Sequence, residues 1–120
     1  MENNFRKNFG NIGEAKAEFF LVEKGFTIVE KNYRYRRSGE IDVIAKKDNL
    51  LIFVEVKNRK SSKYGGAHYS LNKKKIKSFK FVAQQFLNNN QRFNSKDVTC
   101  RFDMIAIENE KIEWIDDIFR

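Results

Sequence analysis

The stretch GEIDVIAKKDNLLIFVEVK, residues 39–57, contains two β-rich runs, IDVIA and LLIFVEV, separated by the turn-like tetrapeptide KKDN. Asp and Asn tolerate the positive φ that a tight hairpin requires, so we predict a hairpin that turns at Asp48-Asn49. In that register Asp42 lies opposite Glu55, with the two Cβ atoms roughly 4.5–5.5 Å apart. The segment therefore predicts two carboxylates side by side on one face of a sheet.

A lysine joins this pair of acids. Lys57 follows Glu55 by two residues and therefore shares its face of the strand. Two carboxylates this close repel each other unless a cation lies between them, and a lysine beside such a pair is typical of a divalent-metal phosphodiesterase site. The alternative is that Asp42 and Glu55 are solvated on the open face of an ordinary hairpin, with Glu40 in a surface ion pair with Lys57.

The opposite face of the predicted hairpin carries no charge. It consists of Ile41, Val43 and Ala45 on one strand and of Leu50, Ile52, Val54 and Val56 on the other. A slip by one residue would bury Asp42 among these side chains, so the burial of this face fixes the register.

Composition limits the class of protein. The 120 residues, 41% of them hydrophobic, predict a single domain over residues 1–120 with a core of its own. The net charge of +8 favours a polyanionic partner such as nucleic acid, although basic surfaces also occur in proteins without one. One cysteine and one histidine exclude an intrachain disulfide and motifs that need two histidines. No apolar run approaches the ~20 residues of a membrane span, so we expect a soluble, cytoplasmic protein.

Two segments have helical periodicity. The first covers residues 11–24, and we expect its apolar stripe to be buried: Ile12, Ala15, Phe19 and Val22, widened by Ala17, Phe20 and Leu21. The second covers residues 72–88, with a predicted buried stripe of Ile76, Phe79, Ala83, Phe86 and Leu87.

Charged residues on both helices have two interpretations. Glu14 lies on one flank of the first helix, where it could be a further metal or water ligand or simply an acid at the positive helix end. The first turns of the second helix carry Lys73, Lys74, Lys75 and Lys77. Lysines there oppose the helix dipole, which favours an anion docked at this end; a solubilising face is the alternative.

The remaining segments complete an α/β arrangement. Residues 26–35 predict a first strand, residues 101–107 a fourth, and Ile112 and Trp114 mark a short closing strand. The fourth strand is apolar on both faces, which suits a sheet covered on both sides. The predicted order is αβββαββ, a mixed β-sheet flanked by two helices.

Several short motifs follow one another in this order. They are Gly10-x-x-Gly13-Glu14-x-x-Ala17, Gly39-Glu40-Ile41-Asp42-x-Ile44, Phe53-Val54-Glu55-Val56-Lys57-x-Arg59, Gly65/Gly66, the lysine-led second helix and Arg101-Phe102-Asp103. Together with the element order they resemble the PD-(D/E)XK nuclease superfamily, and more closely its endonuclease-like YraN-like family. The resemblance covers most of the chain. Ile41 stands where the superfamily name has Pro, which does not move the carboxylate.

The resemblance implies a restriction-endonuclease-like fold and a metal-dependent nuclease. DNA is favoured over RNA, with structured or branched forms among the candidate substrates, but the sequence does not decide between DNA and RNA or between branched, nicked and linear forms. It implies catalytic roles for Glu14, Asp42, Glu55 and Lys57. Asp42, Glu55 and the Val56 carbonyl would hold Mg²⁺ or Mn²⁺, and Glu14 would bind a second ion or orient a metal-bound water. Lys57 would position the attacking water or stabilise the charge that develops on the phosphate.

Basic side chains supply the expected contacts to phosphates. The candidates are Arg34, Arg36, Arg37, Arg59, Lys60, Lys63, Lys73, Lys74 and Lys75. Two other classes of function stay open: a non-catalytic nucleic-acid-binding module that keeps the fold, and a protein-interaction adaptor. A homodimer is compatible with the sequence.

Overall fold

The computed structural model describes residues 2–59 and 73–119, with side chains for residues 12–58 and 73–119. Its elements follow the predicted order αβββαββ. The helices are α1 (Glu2–Glu23) and α2 (Lys73–Asn89), and the strands are β1 (Thr27–Arg34), β2 (Glu40–Lys47), β3 (Leu50–Arg59), β4 (Thr99–Glu108) and β5 (Lys111–Ile115). A 3₁₀ turn, Gln91–Phe93, follows α2.

The five strands form one mixed sheet in the order β1-β2-β3-β4-β5. Neighbouring strands are antiparallel except β3 and β4, which are parallel. A parallel pair needs a crossover connection, and α2 lies in that connection. The predicted α/β class, a mixed sheet with two helices, is confirmed.

The hairpin has the predicted register. Its pairs run from Lys47 with Leu50 to Val43 with Val54, and Asp48 has the positive φ of +52° that the turn requires. The ladder then ends, although β2 itself begins at Glu40. The backbone of β2 is therefore no longer paired with β3 at Asp42.

Each face of the sheet carries its own apolar cluster. The cluster on the α1 side contains Ala17, Leu21, Phe26, Val43, Ala45, Ile52, Val54, Ile105 and Ile107. The cluster on the α2 side contains Ile41, Ile44, Leu51, Phe53, Phe79, Val82, Ala83, Phe86 and Phe93. The prediction that Ile41 shares a face with Val43 and Ala45 is wrong: the ladder that enforces strict alternation ends at Val43, and Ile41 packs on the α2 side.

Helix α1 differs from its prediction in extent and in face. It begins at Glu2 and not at Asn11, and it buries Ala17 and Leu21 against the sheet. Ile12, Phe19 and Val22 are 55%, 66% and 54% exposed. The face of α1 with small residues packs on the sheet, because this face permits close approach of the helix to the strands.

Helix α2 was predicted within one residue at each end. It buries Phe79, Val82, Ala83 and Phe86, whereas Ile76 and Leu87 are only half-buried. Val82 was missed because it lies one position from Ala83 and widens the stripe. No helix in residues 2–59 and 73–119 is long and apolar enough to cross a membrane.

A buried carboxylate connects β4 to β5 and to the segment after β5. Asp103 on β4 is fully buried and accepts hydrogen bonds from Arg101 at 2.9 and 2.8 Å, from Trp114 Nε1 at 2.9 Å and from the Asp117 N–H at 3.0 Å. All its partners lie on β4, β5 or the segment after β5. Asp103 therefore joins the motif Arg101-Phe102-Asp103 to the C-terminal part of the fold.

Candidate active site

The site begins where the ladder between β2 and β3 ends. One residue beyond the last pair, the Asp42 carboxylate accepts a hydrogen bond from the backbone N–H of Val56, at 2.8 Å from Oδ2. A side chain thus takes the N–H that the next backbone pair would have used. This bond fixes Asp42 against β3, beside Glu55.

A pocket of about 460 Å³ opens beside these two acids, between the sheet and the start of α2. It is lined by Gly39, Glu40, Asp42, Glu55, Lys74, Lys75, Ser78 and Phe79. Asp42 and Glu55 therefore face one cavity, as the predicted hairpin requires. The first turn of α2 forms its basic wall.

A close contact between the loop before β2 and α2 shapes this pocket. Ser78 on α2 donates a hydrogen bond to the carbonyl of Ser38. The next residue is Gly39, with φ +142°, and a Cβ there would lie 2.7 Å from the Ser78 Oγ. Only glycine fits, which explains its place directly before Glu40.

Helix α1 brings Glu14 to the same end of the sheet. The helix approaches β3 so closely at Gly13 that an added Cβ would lie 2.7 Å from Asn58 Nδ2 and 2.9 Å from Asn58 Cβ. Glu14 follows directly, and one oxygen each of Glu14, Glu40 and Asp42 lie within 4.8 Å of one another. The structure thus brings together Glu14 and Asp42, two of the predicted site residues.

Glu40 is the member of this cluster that the sequence analysis missed. Its expected partner was Lys57, but its Oε2 is 2.7 Å from Arg34 Nη2 on the neighbouring strand β1. Strand alternation did not place it, because the ladder between β2 and β3 ends at Val43 and Ile41 packs on the α2 side.

Two acids of this cluster, Asp42 and Glu14, have raised pKa values. The pKa of Asp42 is raised from 3.8 to about 7, chiefly by burial and also by the nearby charges of Glu55, Glu14 and Glu40, while the hydrogen bond from the Val56 N–H acts in the opposite direction. Burial also raises the pKa of Glu14, opposed by a hydrogen bond with Asn32. At neutral pH the cluster therefore favours a bound proton or a cation among its oxygens.

Glu55 has a different environment. Its side chain is 10% exposed, and its Oε1 lies 2.8 Å from Lys75 Nζ and 3.2 Å from Lys57 Nζ. Lys57 comes from the same strand, as the Glu-x-Lys spacing predicts, whereas Lys75 reaches in from α2. The buried charge of Glu55 is thus balanced by two lysines.

Among the predicted basic contacts, Lys74 and Lys75 line the pocket. Lys73 and Lys74 are exposed at the start of α2, and Arg36 and Arg37 are exposed between β1 and β2. Arg34 is held by Glu40. Lys60 and Lys63, together with Gly65/Gly66, lie outside the described residues, as does the side chain of Arg59.

Known proteins resemble this chain over most of its length. The model of a family described as "Uncharacterised protein family UPF0102" matches residues 13–107. A UPF0102 protein of Shewanella sediminis is 38% identical over 121 residues, which cover 99% of each chain. A UPF0102 protein of Shewanella baltica is 41% identical over 110 residues, covering 92% of this chain and 97% of the relative. The matched region contains Glu14, Asp42, Glu55 and Lys57.

Proposed function

The chain belongs to the UPF0102 family, and we propose that it is a metal-dependent nuclease of the PD-(D/E)XK type that hydrolyses phosphodiester bonds in nucleic acid. The observation that carries this proposal is the carboxylate cluster of Glu14, Glu40 and Asp42 beside the pair Glu55 and Lys57. A mixed sheet with a helix on each face, an acid on β2 and Glu-x-Lys on β3 supports a restriction-endonuclease-like fold.

The donor atoms suit a hard divalent cation. Mg²⁺ and Mn²⁺ prefer oxygen ligands, and the described cluster offers only carboxylates. Asp42, Glu55 and the Val56 carbonyl would hold the ion, with Glu14 and Glu40 as further oxygen donors. The raised pKa values of Asp42 and Glu14 support this assignment, because a cation would stabilise the charged carboxylates that burial and mutual repulsion disfavour. When bound, the metal lowers the pKa of a coordinated water and neutralises charge on the scissile phosphate.

The chain's own residues supply the rest of the mechanism. Lys57 lies beside Glu55 and would position the attacking water or stabilise the charge that develops on the phosphate. Lys73, Lys74, Arg36 and Arg37 would contact backbone phosphates, which orients the substrate without reading its sequence. DNA, including structured or branched forms, is the substrate that we propose.

A cleavage assay tests the proposal. The protein is incubated with Mg²⁺ or Mn²⁺ and with duplex, nicked, branched and single-stranded DNA and the corresponding RNAs. We expect cleavage of at least one substrate, loss of cleavage in Glu55→Gln and Lys57→Ala, and binding that stays nearly unchanged in both. Asp97→Asn, which removes an exposed acid far along the chain from the site, is the matched control.

A second candidate has its own supporting observation. The two lysines at Glu55 can satisfy this carboxylate without a metal, which favours a non-catalytic nucleic-acid-binding module that keeps the fold. Substrates that bind the protein but stay uncut throughout the panel, together with no stabilisation by either metal, would favour this alternative.

A further inference from the structure

Helix α1 carries a second apolar stripe that points away from the sheet. Ile12, Ala15, Phe19 and Val22 are all exposed, while Ala17 and Leu21 on the other side are fully buried. We call these four exposed residues the α1 seam. Their spacing alternates three and four residues, which is the a and d pattern of a helix that packs lengthwise on another helix.

A groove runs beside the α1 seam. It has a volume of about 440 Å³ and lies between α1 and the turn that joins β4 to β5. Phe20, Ile107 and Ile112 form part of its wall, next to Phe19. Apolar surface of this kind, with charged residues at its margin, is typical of a protein interface.

The charges beside the seam are self-complementary for one direction of pairing only. Lys16 and Glu23 occupy equivalent e positions, one heptad apart, and both lie at the groove. When two copies of α1 run antiparallel with the two-fold axis between Phe19 and Phe20, Lys16 of each faces Glu23 of the other. A parallel pair would instead bring Glu18, at a g position, towards Glu23, and like charges repel.

We propose that α1 pairs with the α1 of a second copy, antiparallel and about a two-fold axis, so that the α1 seam becomes the interface of a homodimer. A two-fold interface uses the same patch on both copies, and the seam with its Lys16 and Glu23 satisfies that condition. Among the described residues, the ion pair of Lys16 is a 4.0 Å contact with Glu110, which is 95% exposed, and such an exposed pair holds the lysine only weakly. The proposal does not depend on nuclease activity.

Sedimentation of the full chain over a range of protein concentrations tests the interface. We expect a reversible dimer, and we expect Phe19→Glu to raise its dissociation constant at least about thirtyfold, because Phe19 lies next to the two-fold axis, midway between Lys16 and Glu23. Phe81→Glu is the matched control, since Phe81 is 45% exposed on α2 and should leave the dimer intact. Thermal melts show whether both variants keep the fold.

Charge reversal tests the direction of pairing. Lys16→Glu and Glu23→Lys should each weaken the dimer roughly tenfold, because each places like charges at both symmetric contacts, and the double variant should restore it. These two residues are seven apart on one helix and do not contact each other there, so rescue reports contact between copies. A monomer at every concentration, a dimer that survives Phe19→Glu, or absence of rescue would overturn the proposal and leave the seam to another partner.

Discussion

At the scale of single residues, Asp42 combines burial, repulsion and a single backbone hydrogen bond. Its pKa in the native state is about 7, above its ordinary value of 3.8, so the folded protein holds a proton that the unfolded chain releases. The contribution of this proton to the free energy of unfolding is fully present below about pH 4 and is lost as the pH rises through about 7.

Asp42→Asn should therefore stabilise the metal-free protein at pH 8. An asparagine oxygen can still accept the hydrogen bond from the Val56 N–H, while the repelled charge is removed. We expect a gain in the free energy of unfolding on the order of 2–4 kcal/mol at pH 8 that disappears towards pH 4, measured by urea unfolding. Asp97→Asn should show no such gain, and an unchanged or lowered stability of Asp42→Asn at pH 8 would contradict the assignment.

A divalent cation should stabilise the carboxylate of Asp42 at a pH where this residue has lost its proton. We expect Mn²⁺ to stabilise the native protein by about 2.7 kcal/mol at a hundredfold excess over its dissociation constant. Because metal and proton compete for the oxygens of Asp42, the stabilisation should be larger at pH 8 than at pH 6. Thermal melts with and without Mn²⁺ at both pH values measure this, and Asp42→Asn should lose most of it. If Mn²⁺ stabilised Asp42→Asn as much as the unchanged protein, the metal would bind at another site.

Two adjacent lysines on α2 should have separate effects. Lys75 Nζ contacts Glu55 at 2.8 Å, whereas Lys74 is exposed beside it in the same helical turn. Removing Lys75 leaves Glu55 more available to a cation, so Lys75→Ala should tighten Mn²⁺ binding about threefold in calorimetry. Lys74→Ala should leave metal binding unchanged. Equal metal affinity in both variants would show that Lys75 has no influence on the site.

At the scale of secondary structure, local signals predicted most of the elements. The turn at Asp48-Asn49 and the alternation on both sides of it were sufficient for the register of the hairpin. The position of Glu55 next to Lys57 followed from the same alternation. These features depend on residues close in sequence, and a single chain displays them directly.

Features that depend on contacts between elements could not be predicted from these local patterns. α1 has two apolar stripes, and nothing in its own periodicity shows which one the sheet accepts. The close approach at Gly13 decides it, and that requires Asn58 of β3. Lys75 reaches Glu55 only because α2 packs over the sheet. Glu40 joined the site for the same reason, since Glu14 comes from another element.

Gly13→Ala tests how helix packing positions the site. A methyl group would lie 2.7 Å from Asn58 Nδ2, so α1 must shift away from β3 and carry Glu14 with it. Overpacking of this kind costs about 1–3 kcal/mol, against a gain of up to about 1 kcal/mol from helix propensity. We expect lower stability in urea unfolding and weaker stabilisation by Mn²⁺. A net gain in stability, as for glycine to alanine in an exposed helix, would show that Asn58 yields without effect on α1.

At the scale of the whole molecule, the net charge of +8 and the position of the exposed basic residues predict how nucleic acid binds. Each phosphate that a lysine neutralises releases counterions, so the logarithm of affinity should fall with the logarithm of salt concentration by about 0.9 per contact on duplex DNA. Replacing both Lys73 and Lys74 with Ala should flatten this slope by about two units and weaken all sequences alike.

Fluorescence anisotropy over a salt series measures this slope. Lys96→Ala removes one exposed charge in the segment between α2 and β4, and it should leave the slope unchanged if the substrate lies over the pocket. Glu55→Gln should not weaken binding, since it removes a negative charge from the surface that faces the phosphates. Binding that is absent at low salt, or indifferent to salt, would remove nucleic acid as the substrate. The carboxylate cluster would then require a different phosphate ester or another role for its metal.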